Sequence, residues 1–265
     1  MPPSKHEATL SIALRLADVA DDVGRTFVGS ESLEVRRKPD GSPVTAADLA
    51  IEEAIAAAAQ SLVPGDAFVG EEIGPFEGSD RRWIVDGIDG TGAFARGEPH
   101  WGTLIACVID EVVVAGVVTS IGLNRRWWGA VGGGAWTAPL SDSHTDRRQR
   151  LGVSLTSELE RARVLVLPPA DVRSPVLNKC AARLERIVAL NTAPWHHVIR
   201  VAEGAADASV HFGGDSWDHA AFIPIIEEAG GRFSDLFGGR RFDLGNALFS
   251  NGVLHEALLE GLGNT

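Results

Sequence analysis

Apolar residues return at Ile12, Leu16, Val19, Val23 and Phe27 with Asp and Arg between them, a spacing that predicts a helix packing one face over about 6–28. A second stripe, Ile51, Ile55, Ala58 and Leu62, follows Thr45, which with Asp48 three residues on has the form of a capping box. The period then changes. Residues 67–70 and 83–85 are short apolar runs of strand length, with 73–80 between them a polar, Gly-rich loop. Residues 101–109 and 112–120 are longer strand candidates joined through Asp110-Glu111, and 126–131 turns back through Gly132-Gly133-Gly134 to Ala135-Trp136. Connections this short predict an antiparallel meander. Within it, Trp127-Trp128 is expected to alternate across the strand, one ring inward and one outward.

The stretch 139–150 is polar, without periodicity, and is the best boundary, dividing the chain into 1–140 and 141–265. Beyond it, strands are predicted at 163–167, 187–190 and 208–211. Helices are predicted at 176–184, 194–203 and 217–229, the last with Ala220, Ile223, Ile226 and Ala229 inward. Alternating helix and strand point to a second α/β layer system.

At 265 residues and 45% apolar, the chain can bury a sizeable core. Its net charge of −12 argues against a nucleic-acid partner, because binding a phosphate backbone draws on clustered Lys and Arg. No run approaches the ~18 apolar residues of a membrane span, and no apolar leader follows Met1, so a cytoplasmic protein is expected. Cys107 lies in an apolar run and is expected to be a buried thiol. The seven tryptophans are expected mostly in the core.

Chemistry concentrates in residues 83–94, Trp-Ile-Val-Asp-Gly-Ile-Asp-Gly-Thr-Gly-Ala-Phe. An apolar strand delivers Asp86 to a Gly-rich turn that also holds Asp89. Paired carboxylates suit a hard divalent cation, which usually comes with a substrate phosphate. Gly90-Thr91 follows, where small residues and a helix start let N–H groups approach a phosphate oxygen. Two Asp-Gly pairs are ordinary turn chemistry by themselves. Their company changes that: upstream stands Val69-Gly70-Glu71-Glu72, and downstream stands Ser216-Trp217-Asp218-His219-Ala220-Ala221, running into Glu227-Glu228-Ala229-Gly230-Gly231. By contrast, Gly132–Gly134 lacks the Lys-Ser/Thr of a nucleotide loop. His196-His197 are adjacent rather than at i, i+4, which disfavours a shared metal and favours a surface or substrate-cleft position.

In this order and combination, the three segments resemble the inositol monophosphatase family of Mg2+-dependent, lithium-sensitive phosphatases. Within it, Trp101, Arg125-Arg126-Trp127-Trp128 and Val201-Ala202-Glu203-Gly204 are closest in appearance to bacterial histidinol-phosphate phosphatases. The resemblance implies a five-layer αβαβα sandwich, commonly a homodimer, with Mg2+ ions, two or three per site, at the junction of the halves. It assigns one ion to Glu71, Asp86 and the backbone carbonyl of Ile88, and a second to Asp86, Asp89 and Asp218; a third shares Glu71. Water oriented by Glu71 and Thr91, with Asp48 behind Thr91, attacks in line. Asp89, Gly90 and Thr91 bind the phosphate, and the loop of Lys38 closes over them. Read alone, Lys38 is a solvated residue of a mobile loop, Asp48 a helix cap, and Asp218 an N-cap of the helix at Trp217.

The chain also departs from the family pattern. Gly87 stands where Pro is usual, and Gly92-Ala93 replace longer residues. His211 occupies the place of a substrate-facing Glu, and Ala193-Pro194 that of Gly-Asp in the histidinol branch. Losing acidic groups weakens recognition of a cationic amino alcohol, unless Asp215 or Asp171 replaces them. The expected substrate is therefore a small phosphate monoester: histidinol phosphate, or a polyol, sugar or nucleoside phosphate. The alternatives are an inositol- or nucleotide-phosphate phosphatase, or a phosphate-binding protein without turnover.

Overall fold

A computed structural model describes residues 6–30, 34–39, 41–142, 147–167, 175–193, 195 and 197–263. Helices α1 (Glu7–Phe27) and α2 (Ala46–Leu62) form the outer layer of the first half. The buried face of α1 is set by small residues, Ala13, Ala17, Ala20 and Gly24 around Leu16, while Ile12, Val19, Val23 and Phe27 lie half-buried along its margin. Small side chains let the helix axis approach the sheet and its neighbour α2, so the larger apolar residues end beside the contact rather than in it.

Between α1 and α2, β1 (Val35–Arg37) and β2 (Pro43–Thr45) form a hairpin whose turn holds Lys38. An eight-stranded sheet follows. It comprises β3 (Asp66–Gly70), β4 (Gly74–Phe76), β5 (Ser79–Asp89), β6 (Gly102–Ile109), β7 (Val112–Ser120), β8 (Arg125–Ala130), β9 (Gly134–Pro139) and β10 (Gln149–Arg150). Its order is β10-β9-β8-β7-β6-β5-β3-β4, antiparallel throughout except for the parallel pair β3–β5. The predicted loop at 73–80 is thus partly sheet: β4 caps the edge, and β5 begins four residues earlier than its apolar run. Asp110 and Glu111 turn from β6 to β7 with φ of 51° and 60°, a pair of left-handed residues that matches strand twist.

Trp127 and Trp128 do alternate, yet both are buried, because helices cover both faces of this sheet. Arg126 is buried beneath α1, where it pairs with Asp21 at 2.6 Å and Asp18 at 2.9 Å.

The second sheet comprises β11 (Val164–Leu167), β12 (Leu190–Asn191), β13 (Ala208–His211), β14 (Arg232–Ser234) and β15 (Ala247–Ser250), in the order β12-β11-β13-β15-β14. Helices α5 (His197–Ala202), α6 (Ser216–His219) and α7 (Phe222–Glu228) lie between the sheets, and α4 (Pro175–Leu184) and α8 (His255–Leu262) cover the far side, completing five layers. The helix predicted at 217–229 divides into α6 and α7. Pro224 offers no N–H to the carbonyl of Ala220, so the hydrogen-bond ladder breaks there. One apolar cluster joins Leu104, Val118 and Trp127 of the first sheet to Val198, Phe222 and Phe249, so both sheets share the core in which the middle helices lie. No described helix is long and apolar enough to cross a membrane.

Candidate metal and phosphate site

Strands β3 and β5 run parallel with Gly70 opposite Val85, so Glu71, just past the end of β3, comes beside Asp86 of β5. In a regular strand Asp86 and Asp89, an odd number apart, would point to opposite faces. The register against β6 shifts between them: Asp86 pairs with Leu104 and Asp89 with Gly102, which places an extra residue in β5. The bulge turns both carboxylates to the same side. Thr103 Oγ1 donates to the Gly87 carbonyl at 2.8 Å, satisfying an acceptor within the irregularity.

From the second half, α6 presents Asp218. Its N-cap is Asp215, not Asp218: the Asp218 carboxylate reaches back to accept from the Asp215 N–H at 2.6 Å, which fixes its rotamer. Carboxylate oxygens of Asp86, Asp89 and Asp218 lie within 4.8 Å of one another.

Glu71 adjoins this trio. Its Oε1 is 2.5 Å from Lys38 Nζ, which also pairs with Glu72. The hairpin turn thus places Lys38 against the acidic edge rather than in free solvent. Burial opposes the charge on Lys38, but its bonds to the two glutamates hold the ammonium firmly charged. Burial raises the Glu71 carboxyl despite Lys38. Burial, then the neighbouring carboxylates, raise Asp86 and Asp89 well above the carboxylate range, and burial raises Asp218 in the same direction. Like charges gathered out of water resist joint ionisation, and a cation among them removes that penalty. Hard oxygen donors gathered in this way suit a hard divalent cation.

Next to the trio, Gly90 takes φ of 89° and opens α3 (Thr91–Ala95). A Cβ on Gly90 would lie 2.9 Å from the His100 carbonyl oxygen, so both conformation and space call for glycine. Thr91 Oγ1 sits 2.9 Å from the Ile88 carbonyl oxygen and 3.0 Å from Asp48 Oδ1. One hydroxyl proton therefore has two acceptors. Asp48 also accepts from the Thr45 N–H at 2.9 Å and the Thr45 hydroxyl at 2.5 Å, so capping and the contact with Thr91 coexist.

One turn after Asp48 on the same face stands Glu52, fully buried. It accepts from the backbone N–H groups of Glu72 at 2.9 Å, Ile73 at 3.1 Å and Gly87 at 3.3 Å, tying together the segments that carry Glu71 and Asp86. Burial raises its carboxyl to about 7 against these bonds. Glycine at 70 and 87 makes room for it: a Cβ on Gly70 would lie 2.3 Å from Glu52 Oε2, and one on Gly87 2.6 Å from the Asp48 carbonyl oxygen. Proline at 87 would also lack the N–H that Glu52 receives. The departure at Gly87 is thus matched by close helix–strand contact. Sequence reasoning missed Glu52; the available signal was a carboxylate beside Ile51 on the apolar face, at i+4 from Asp48.

Beside Asp89 and Asp218 opens a cavity of about 330 Å3, whose wall includes Trp195, His197, His211 and Phe222. Trp195 Nε1 donates to Asp89 Oδ2, a contact no sequence pattern indicated. Its ring lies over Gly102, where a Cβ would meet it at 2.3 Å. His211 is buried, 3.1 Å from Ser209 Oγ and packed on His219 and Phe249. Burial and then His219 keep it neutral, pushing it well below the usual histidine range. Ala193 is half-buried, and its carbonyl bonds His197. Asp215 is exposed as the α6 cap. Pro194, His196 and Asp171 lie outside the described residues.

Residues 6–264 match the inositol monophosphatase family. The histidinol-phosphatase of Mycobacterium tuberculosis (strain ATCC 25618 / H37Rv) is 38% identical over 264 residues, covering 96% of this chain and 97% of its own. A Streptomyces griseus protein named glucose-1-phosphate thymidylyltransferase is 38% identical over 242 residues, covering 90% of each. Among solved structures, the extragenic suppressor protein suhB from Bartonella henselae superposes with a TM-score of 0.83 at 25% identity, covering 97% of this chain and 98% of its own.

Proposed function

The chain belongs to the inositol monophosphatase family and is a metal-dependent phosphomonoesterase, and on that premise we propose that it uses Mg2+ to hydrolyse a small-molecule phosphate ester, with histidinol phosphate the leading candidate. The observation that carries this reading is the convergence of Asp86, Asp89 and Asp218 beside the Thr91–Asp48 pair. Glu71, Asp86, Asp89, Asp218 and the Ile88 carbonyl would hold two or three ions. When bound, such ions neutralise the phosphoryl oxygens and make water acidic enough to attack near neutral pH.

The chain's own groups do the positioning. Thr91, with one proton and two acceptors, donates to Asp48 whenever the Ile88 carbonyl is engaged elsewhere, leaving its oxygen lone pairs to orient water. Asp48 is fixed by the Thr45 cap, and Glu52 fixes the strands that carry Glu71 and Asp86. Lys38, held charged, faces the side on which a phosphate would rest against Asp89, Gly90 and Thr91. Homodimerisation, which the resemblance implies, belongs to the same proposal.

Substrate choice rests on the cavity wall. The histidinol-phosphatase relative supports histidinol phosphate. A second reading, a polyol, sugar or nucleoside phosphate, is favoured by His211, a buried neutral imidazole where an ammonium would need a carboxylate. The test is kcat/KM for histidinol phosphate, inositol 1-phosphate and a nucleoside monophosphate on one preparation, with His211→Glu alongside. A strong preference for histidinol phosphate, unimproved by His211→Glu, rejects the second reading. No phosphate release from any ester with Mg2+ rejects the phosphatase itself.

A further inference from the structure

Trp195 reaches the acidic trio from the other half of the chain. It stands between β12 and α5, and its Nε1 donates to Asp89 Oδ2 at the end of β5. Two glycines clear the space for its indole: a Cβ on Gly102 would meet the ring at 2.3 Å, and one on Gly90 would lie 3.3 Å from its Cδ1. The segment that carries it is closed by His197, whose Nε2 donates to the Ala193 carbonyl at 2.6 Å. Just beyond, Val198, Ile199, Val201 and Ala202 anchor α5 in the core that both sheets share. The indole is therefore held by its own surroundings as well as by Asp89.

A cavity wall needs only the face of a ring, so the direction of the N–H is a separate fact. A carboxylate turns about its Cβ–Cγ bond, and a donor on Oδ2 fixes its plane while leaving Oδ1 for another partner. Asp218 is treated alike: the Asp215 N–H holds its Oδ2 at 2.6 Å. Two of the three clustered carboxylates thus have a donor that sets their orientation, one from a backbone turn and one from a side chain 106 residues away. Preformed ligands spare an incoming ion the cost of ordering them, and the hydrogen-bond partners of ligating groups are typically worth about 10- to 100-fold in metal affinity or activity.

We infer that Trp195 is a positioning residue, its indole N–H holding the Asp89 carboxylate ready for a divalent cation. This rests on the phosphatase reading above, in which Asp89 is a ligand. The bond should persist when the ion is bound, and the ion should bind less tightly when the N–H is removed and an aromatic ring is kept.

Trp195→Phe makes that change. Mn2+ takes the same hard oxygen ligands as Mg2+, and its free form is read directly by electron paramagnetic resonance. Titrated with Mn2+, Trp195→Phe should show a Kd raised by about 10-fold for at least one ion. In turnover, the half-saturating Mg2+ concentration should rise by a similar factor while the rate at saturating Mg2+ is largely kept, a rescue that a general loss of structure would not allow. A second measurement needs only the unmodified protein. With 15N-tryptophan labelling, the Trp195 indole N–H should exchange slowly with solvent both in EDTA and in Ca2+. A Mn2+ isotherm unchanged by Trp195→Phe, an unmodified protein that binds no Mn2+, or an indole proton released to rapid exchange when Ca2+ binds overturns the inference. A weakened isotherm in a protein that hydrolyses no ester with Mg2+ would retain the positioning residue and remove the phosphatase.

Discussion

Replacing Asp89 by Asn should stabilise the metal-free protein while abolishing turnover. Oxygens of Asp86, Asp89 and Asp218 approach within 4.8 Å. Two unit charges at that separation repel by roughly 3.5 kcal/mol at an effective dielectric near 20. Proton uptake relieves part of this, as the raised Asp86 and Asp89 carboxyls indicate. The recoverable strain is then about 1–3 kcal/mol, or roughly 2–12 °C at about 2–4 °C per kcal/mol for a protein of this size. Asn preserves shape and can still accept from Trp195 through its amide oxygen. Mg2+ acts oppositely: at about 100 times its Kd it stabilises the unmodified protein by about 2.7 kcal/mol, and Asp89→Asn should lose most of that gain. Thermal melts in EDTA and in Mg2+, with phosphate release measured in parallel, give all three quantities. An Asp89→Asn protein that melts below the unmodified one in EDTA, or keeps its full Mg2+-induced rise, refutes the assignment of these carboxylates to a cation.

Thr91→Ala should lower kcat more than it raises KM, because in the proposed mechanism the hydroxyl positions water rather than ester; trapping of a covalent phosphoenzyme would contradict that mechanism. For Glu52, the folded carboxyl titrates at about 7 against an ordinary 4.5. Between those values the native state keeps a proton that the unfolded chain has lost, so this group's contribution to metal-free stability should fall as pH rises from about 4.5 to 7, by at most about 3 kcal/mol. The buried histidines, held neutral, contribute the opposite slope, so the test is the difference between proteins: in EDTA melts the melting temperature of the unmodified protein relative to Glu52→Gln should fall as pH rises across the window, and a relative rise would show the sign to be wrong.

Substrate contacts were the least legible part of the chain. Strand ends, glycine turns and capping pairs are local, so 83–94, Glu71-Glu72 and Thr45…Asp48 could be read from spacing. Glu52 could not, because its three donors come from 20, 21 and 35 residues away. Trp195 meets Asp89 from 106 residues away. The unassigned tail after 231 hid β14, β15 and α8, whose runs of three to eight residues are too short for periodicity to separate strand from helix.

What the sequence by itself determined was the family, the layered α/β class and the identity of the charged groups, since motif, period and residue type are properties of short segments. Only the tertiary structure decided where those groups meet. The bulge in β5 brings Asp86 and Asp89 to one side, and the parallel pairing of β3 with β5 sets Glu71 beside them. The packing of α6 against β5 brings in Asp218. Distance and desolvation, which gather separate carboxylates into one acidic cluster, depend on chain segments that approach only once the core has closed.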